Sequence, residues 1–106
     1  MVSINDFKNF EIRVATIKEV SDHPNADKLY ILKVDLGDKQ KQLVAGIRLF
    51  YTKEDLIGKQ IVMIDNLEPA IIRGVESQGM LLAASDESGI AILSPVRFIK
   101  EGSKVK

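Results

Sequence analysis

Residues 67–84, Leu-Glu-Pro-Ala-Ile-Ile-Arg-Gly-Val-Glu-Ser-Gln-Gly-Met-Leu-Leu-Ala-Ala, constrain this chain more than any other stretch. They follow an apolar run, Ile61-Val62-Met63-Ile64, which reads as a strand closed by Asp65-Asn66. Pro69 has no backbone N–H, so the segment after that strand does not belong in the middle of a sheet. Gly74 and Gly79 allow backbone conformations that a side chain would forbid. Around and between them lie Arg73, Glu76, Ser77 and Gln78, all polar. After Gly79 the chain turns apolar, and residues 80–85 are short enough to be a buried strand. The stretch therefore predicts polar side chains on a glycine-flanked turn, anchored on both sides by core strands. Loops held in this way often carry function, although an ordinary hairpin connection has the same composition.

The remaining elements follow from local rules. Ser3 suits the N-cap of a short helix, with Asp6 three residues on. Ile4, Phe7 and Phe10 then share one face, expected to cover the open end of a barrel. In residues 11–20, Ile12 and Val14 alternate with Glu11 and Arg13, and the phase slips around Ala15-Thr16. That pattern predicts one long strand with a bend or bulge, a common device for closing small barrels. Residues 21–28, rich in Asp, Asn and Pro, form a loop. A second strand over 29–36 places Tyr30, Leu32 and Val34 on one face, and residues 37–40 turn the chain into a third, 41–45. Thr52 opens a short helix with Glu54 and Asp55 in its first turn, where negative charge suits the helix dipole. Gly58 stops it. Residues 59–65 are a fourth strand. Residues 80–85 and 90–93 are two further strands separated by a polar turn. Val96, Phe98, Ile99 and Val105 make the tail too apolar to be free in water, so it is expected to cover this subunit or a second one. Together these elements describe an all-β chain. They fit a five-stranded oligonucleotide/oligosaccharide-binding barrel with a short N-terminal helix, a short helix between strands 3 and 4, and a C-terminal extension. Strand count and helix position are compatible with that barrel without being unique to it.

The composition excludes several classes of function. The chain has 106 residues, enough for one domain over 1–106 with a modest core. It has no cysteine, which removes disulfides, thiolate metal sites and thiol nucleophiles. His23, the only histidine, stands before Pro24 in a loop and reads as a turn residue rather than a base or metal ligand. The glycines lack the Gly-Lys-Ser/Thr ending of a phosphate loop. Ser77 has no base near it in sequence. The expectation is a non-enzyme with no cofactor and no metal. No apolar run approaches the roughly 20 residues of a membrane span, and residues 1–6 do not resemble a signal peptide. Those observations predict a cytoplasmic protein with no membrane partner. Lysine plus arginine and aspartate plus glutamate are both 15, so the formal net charge is zero. An RNA-binding role would require positive charge to be gathered on one face.

Three ordered motifs carry a family resemblance. They are His23-Pro24-Asn25-Ala26-Asp27-Lys28-Leu29; Leu43-Val44-Ala45-Gly46-Ile47 running into residues 51–59; and Gly74-Val75-Glu76-Ser77-Gln78-Gly79-Met80-Leu81-Leu82-Ala83. They resemble the tRNA-binding domain found at the C-terminus of methionyl-tRNA synthetases. The same domain occurs in free-standing dimeric tRNA-binding proteins, in phenylalanyl-tRNA synthetase beta chains and in the endothelial monocyte-activating polypeptide group. The resemblance implies a barrel that recognises tRNA by shape near the outer corner of the L. It implies a homodimer, with an aminoacyl-tRNA synthetase as a potential partner served in trans. Its contact set maps to Asn25, Lys28, Lys33, Asn66, Arg73, Ser77, Gln78 and Met80. Arg73 would meet phosphate or stack on a base. Asn66, Ser77 and Gln78 would hydrogen-bond base edges or ribose, and Met80 would offer apolar contact. Ala70-Ile71-Ile72 stands where relatives usually carry basic residues, and an exposed Ile71-Ile72 pair would suit a protein-binding surface. A secretion-related branch of the family, thought to bind peptides, supplies that alternative: a dimeric chaperone-like protein.

Overall fold

A computed structural model describes residues 1–106. Its elements are α1 (Ile4–Phe7), β1 (Ile12–Asp22), β2 (Tyr30–Asp35), β3 (Gln40–Ala45), α2 (Lys53–Leu56), β4 (Gln60–Ile64), β5 (Ala70–Ile72), β6 (Val75–Ser77), β7 (Met80–Leu81), β8 (Ala83–Asp86), β9 (Gly89–Ile92) and β10 (Lys104–Val105). The main sheet runs β3-β2-β1-β4-β7, every pair antiparallel, with β10 also on β1. β1 changes partner along its length: Ile12 to Thr16 face β4, and Thr16 to Asp22 face β2. A strand that serves two neighbours in this way must coil, and the coiling curves the sheet into an almost closed barrel. The register breaks between Ile17 and Glu19, so Lys18 is the extra residue. The bulge lies two to three residues beyond the phase slip read from the sequence.

The core sits inside the barrel. Alternation puts Tyr30, Leu32 and Val34 of β2 inward, facing Leu43 and Ala45 of β3, Ile61 and Met63 of β4, and Ala15 and Ile17 of β1. α2 plugs one end with Leu56, which is fully buried. Its Thr52 cap accepts from the Asp55 N–H at 3.2 Å. Its exit is tied to β1 by the Gly58 N–H, which donates to Ile17 O at 2.8 Å. Each fully buried Leu or Ile contributes about 1.5–3 kcal/mol.

The edge of β3 finds no full partner strand. Side chains from the end of β6 and the residue after it take that place. Ser77 Oγ accepts from the Val44 N–H at 3.0 Å and donates to Gly79 O at 3.0 Å. Gln78 Oε1 accepts from the Gln42 N–H at 2.8 Å, while the Gln78 N–H donates to Gln42 O at 2.8 Å. Gly79 then threads between Met63 and Ile64, where an added Cβ would lie 2.8 Å from Met63 Cε and 2.9 Å from Ile64 O.

Four expectations are corrected. Residues 67–84 do not present one polar turn. Pro69 precedes a hairpin, β5 against β6, whose two-residue turn is Arg73-Gly74. Residues 80–85 are not one buried strand. β7 pairs with β4 for two residues, and at Leu82 the chain leaves to form the separate β8–β9 ribbon. All four residues of β8 are exposed, because its alanines and polar groups offer little to bury. The face of α1 does not cover the barrel: Ile4, Phe7 and Phe10 are exposed, since α1 is a single turn lying outside the sheet. Ser3 does cap α1 as expected, accepting from the Asp6 N–H at 3.1 Å. The tail divides. Ile99 and Val105 pack on this chain, while Val96 and Phe98 stand fully or mostly in solvent. No helix is long and apolar enough to cross a membrane.

An ion cluster pins β1, β3 and β4 together. The Asp65 carboxylate is buried and meets Lys41 at 2.6 Å, Lys39 at 3.0 Å and Arg13 at 3.1 Å. Burial alone would raise its pKa, but hydrogen bonds from Lys41, Lys39 and Arg13 outweigh burial and hold it at about 2, against 3.8 for a free aspartate. The folded state thus binds the proton less readily than the unfolded state. The stabilisation is complete above the unfolded pKa and drains away as pH falls from about 4 towards 2.

Two predictions follow from this geometry. Asp65 should contribute about 2 kcal/mol near neutrality. In denaturant titrations the wild type should lose stability between about pH 4 and 2, and Asp65→Asn should start less stable and show a flatter profile there. Gly79→Ala should destabilise by about 2 kcal/mol, lowering the melting temperature by roughly 10 °C. Gly46→Ala is the control. Its added Cβ meets only Leu29 Cδ2 at 3.7 Å, so its melting temperature should change little.

Candidate nucleic-acid interface

Two segments meet beside the outer face of β2 and β3: the loop over residues 23–29 and the β5–β6 hairpin. Arg73 and Gly74 both have positive φ, 52° and 89°. That is the turn geometry that matches strand twist in a two-residue hairpin. Arg73 is the only non-glycine residue with positive φ. Its guanidinium Nη2 donates to Asn25 O at 3.1 Å, and Asn25 Nδ2 donates back to Arg73 O at 3.2 Å. His23, 3% exposed, lies beneath them and joins both segments. Its Nδ1 accepts from the Asn25 N–H at 3.0 Å, and its Nε2 is 2.9 Å from Ile72 O. The other side of the loop is held by Arg48, whose Nη1 donates to Ala26 O at 3.3 Å.

The expected contact residues do not all converge. Asn25, Lys28 and Arg73 line one open cleft, together with Asp27 and Leu29. Lys33 projects from the outer face of β2 and donates to Gln42 Oε1 at 2.7 Å. Gln42 Nε2 in turn reaches Glu76 O at 2.8 Å, so this pair adjoins the hairpin. Met80 is 48% exposed and borders an apolar groove with Val44, Ile47, Leu82, Ala83 and Ile90. Ser77 is buried, its hydroxyl accepting from Val44 of β3 and donating to Gly79 O; Gln78 accepts from Gln42 of β3 through Oε1, while its Nε2 donates to Glu76 Oε1 at 3.1 Å. Asn66 lies at the other end of β1, where its Oδ1 accepts from the Glu11 N–H and its Nδ2 donates to Asn9 O, each at 2.8 Å. Ser77 and Gln78 tie the hairpin to β3 rather than lining the cleft, and Asn66 is remote from it. Sequence reading missed Gln42, which two-residue alternation across β2 and β3 would have placed opposite Lys33, and the linking role of His23, which no local pattern signals.

The zero net charge conceals an uneven distribution. Arg13, Lys18, Lys39, Lys41, Arg48 and Lys53 are engaged by Asp22, Asp38, Asp65 and Glu101. Lys28, Lys33 and Arg73 belong to none of those ion pairs. Their charge is free to meet an anion, with Asp27 beside Lys28 in the cleft, Glu19 directly across from Lys33 on β1, and Glu76 in the hairpin strand after Arg73.

Residues 12–104 match the family described as "Putative tRNA binding domain". Over 106 residues the chain is 55% identical to a methionine–tRNA ligase of Nanoarchaeum equitans, covering 100% of this chain and 14% of that protein. The chain therefore spans about one-seventh of the length of such synthetase relatives. A MetRS related protein from Pyrococcus horikoshii superposes with a TM-score of 0.92 at 31% identity, covering 100% of this chain and 98% of that one. A CsaA chaperone protein from Picrophilus torridus superposes with a TM-score of 0.93 at 37% identity, with both chains fully covered. The family is one of binding domains, not catalytic ones. On the extent of the match and the identities across its whole length, this chain belongs to the tRNA-binding domain family related to methionyl-tRNA synthetases.

Proposed function

We propose that the chain binds folded tRNA without catalysis, acts as a homodimer, and serves an aminoacyl-tRNA synthetase of the methionyl type. The observation that carries the tRNA reading is the family match over nearly the whole chain. The proposed contact surface is the cleft formed by the loop and the hairpin tip, continued along the outer face of β2 and β3. Lys28, Lys33 and Arg73 supply its unpaired cations, Asn25 a polar group at its floor and Met80 an apolar contact beyond it. Ser77, Gln78 and Asn66 hold the frame. Three phosphate contacts per subunit make a modest electrostatic term, so a two-fold pair of surfaces on one tRNA is the arrangement that gives useful affinity.

The homodimer reading draws on apolar side chains that this chain leaves uncovered: Val96 and Phe98 of the tail, and Ile4 of α1. A peptide-binding role is the second reading. It is favoured by Ile71, 69% exposed beside Arg73, and by the apolar groove at Met80.

Titration with total tRNA and with an unstructured RNA of equal length, at two salt concentrations, tests the first reading. Folded tRNA should be preferred, with log affinity falling by about 2–3 per decade of salt for each subunit engaged. Arg73→Ala should weaken binding about five- to tenfold and lower that slope by about one. Arg73→Gly should lose the same affinity while gaining roughly 1 kcal/mol of stability, because glycine tolerates the left-handed turn. Equal weak binding to both RNAs would remove the tRNA reading and turn attention to peptides. Sedimentation should give twice the 11.8 kDa chain mass. Phe98→Asp should restore the monomer, and a monomeric wild type would exclude the dimer.

A further inference from the structure

The geometry points to His23 as the residue that positions the tRNA-binding cleft, through a neutral imidazole that fixes the hairpin against the loop. The inference rests on the tRNA reading above and adds to it a residue that touches no RNA. Three observations carry it. His23 is 3% exposed and lies under the cleft rather than in it. Its ring bonds to one backbone group on each side of the cleft, Asn25 N at 3.0 Å and Ile72 O at 2.9 Å. Those two groups directly neighbour the residues proposed to touch RNA.

The tautomer follows from the partners. A backbone N–H can only donate, so Nδ1 must accept from Asn25. A carbonyl can only accept, so the proton resides on Nε2 and is donated to Ile72 O. One rigid ring thus sets both the height of the loop and the height of the hairpin turn. The other ties across the cleft, between Asn25 and Arg73, lie in the exposed layer, where water competes for the same groups. The His23 bonds are shielded from that competition and are correspondingly more persistent. Without them, Arg73 and Lys28 would sit on two segments joined only by those exposed bonds, and the tRNA would have to bear more of the cost of ordering them.

Two substitutions separate the halves of the clamp. His23→Gln carries an amide nitrogen to the place of Nε2 and keeps the donor to Ile72 O. His23→Asn carries an amide oxygen to the place of Nδ1, keeps the acceptor for Asn25 and loses the hairpin. If the hairpin tie is the positioning contact, His23→Asn should bind tRNA about tenfold more weakly and His23→Gln should stay within about threefold of wild type. A residue that only adds stability would show losses that follow melting temperature in both variants. The salt slope provides a further readout. It should remain that of wild type in both variants, because no phosphate contact is removed, unlike in Arg73→Ala. Amide exchange over residues 70–77 in the absence of RNA should accelerate in His23→Asn and not in His23→Gln, measured well below either melting temperature. Wild-type affinity in His23→Asn, or unchanged exchange in its hairpin, would overturn this inference while leaving the tRNA reading intact. Failure of the wild type itself to bind tRNA would overturn both.

Discussion

The backbone N–H groups of Gln42 and Val44, on the outer edge of β3, set the terms for the rest of the structure. An unpaired sheet edge invites pairing with another chain, and barrels avoid this by closing. Here closure is made by side chains: the Ser77 hydroxyl and the Gln78 amide occupy the positions that a neighbouring strand's carbonyls would fill. A full strand would have carried its residues straight along β3. Two side-chain bonds and a single backbone bond, from the Gln78 N–H to Gln42 O, leave the chain free to arrive from a hairpin and to leave through Gly79 towards β4. The hairpin therefore stands beside the barrel mouth rather than within its wall. It reaches the loop that follows β1, which is what brings Arg73 over Asn25.

Electrostatics complete what the seam begins. A chain with equal numbers of acids and bases presents no anion-binding surface unless its charges are sorted. Asp65 performs much of the sorting by drawing Lys41, Lys39 and Arg13 around one buried carboxylate. Asp22 engages Arg48 and Lys53 beside α2. The acids engaged in this way bind cations at the base and flank of the barrel, leaving Lys28, Lys33 and Arg73 unpaired around the cleft. The overall charge of zero is thus compatible with a locally cationic surface. The cleft itself sets the limit, because three cations give a weaker electrostatic hold than a basic domain would have.

What was legible in the sequence followed from short-range physics. The inward set of β2 was read from strict alternation. Thr52, Glu54 and Asp55 announced α2, and the phase slip in β1 announced a bulge within three residues of its place. What was not legible depended on partners distant in the chain. Residues 80–85 read as one buried strand because Met, Leu and Ala count as apolar, but β4 offers pairing for only two of them and the alanines bury little. Ser77 and Gln78 read as ligand-facing because the family resemblance puts them in its contact set, on a turn that is polar and flanked by glycine. Their partners lie more than thirty residues earlier, on β3. The expected contact set falls into groups: Asn25, Lys28 and Arg73 share one cleft, while Ser77 and Gln78 bond to β3. Asn66, in the contact set through the family resemblance, lies outside the three motifs and closes the far end of β1.

The glycine-rich signature therefore holds two kinds of constraint that look alike in one dimension. Gly79 is dictated by packing, since no Cβ fits between Met63 and Ile64. Ser77 and Gln78 are dictated by an edge that must be satisfied. Arg73 is dictated by neither. Its position in a two-residue turn, with φ of 52°, suits glycine or asparagine, and an arginine there costs on the order of 1 kcal/mol of backbone strain. The hydrogen bond to Asn25 O recovers part of that cost in an exposed setting, where such bonds contribute little. A folding requirement would have selected the less strained residue. A cation held on a rigid turn beside Lys28, aimed by a buried histidine, is what a phosphate-binding requirement would select. The strain at Arg73 is thus the point at which stability and the proposed binding function pull in opposite directions.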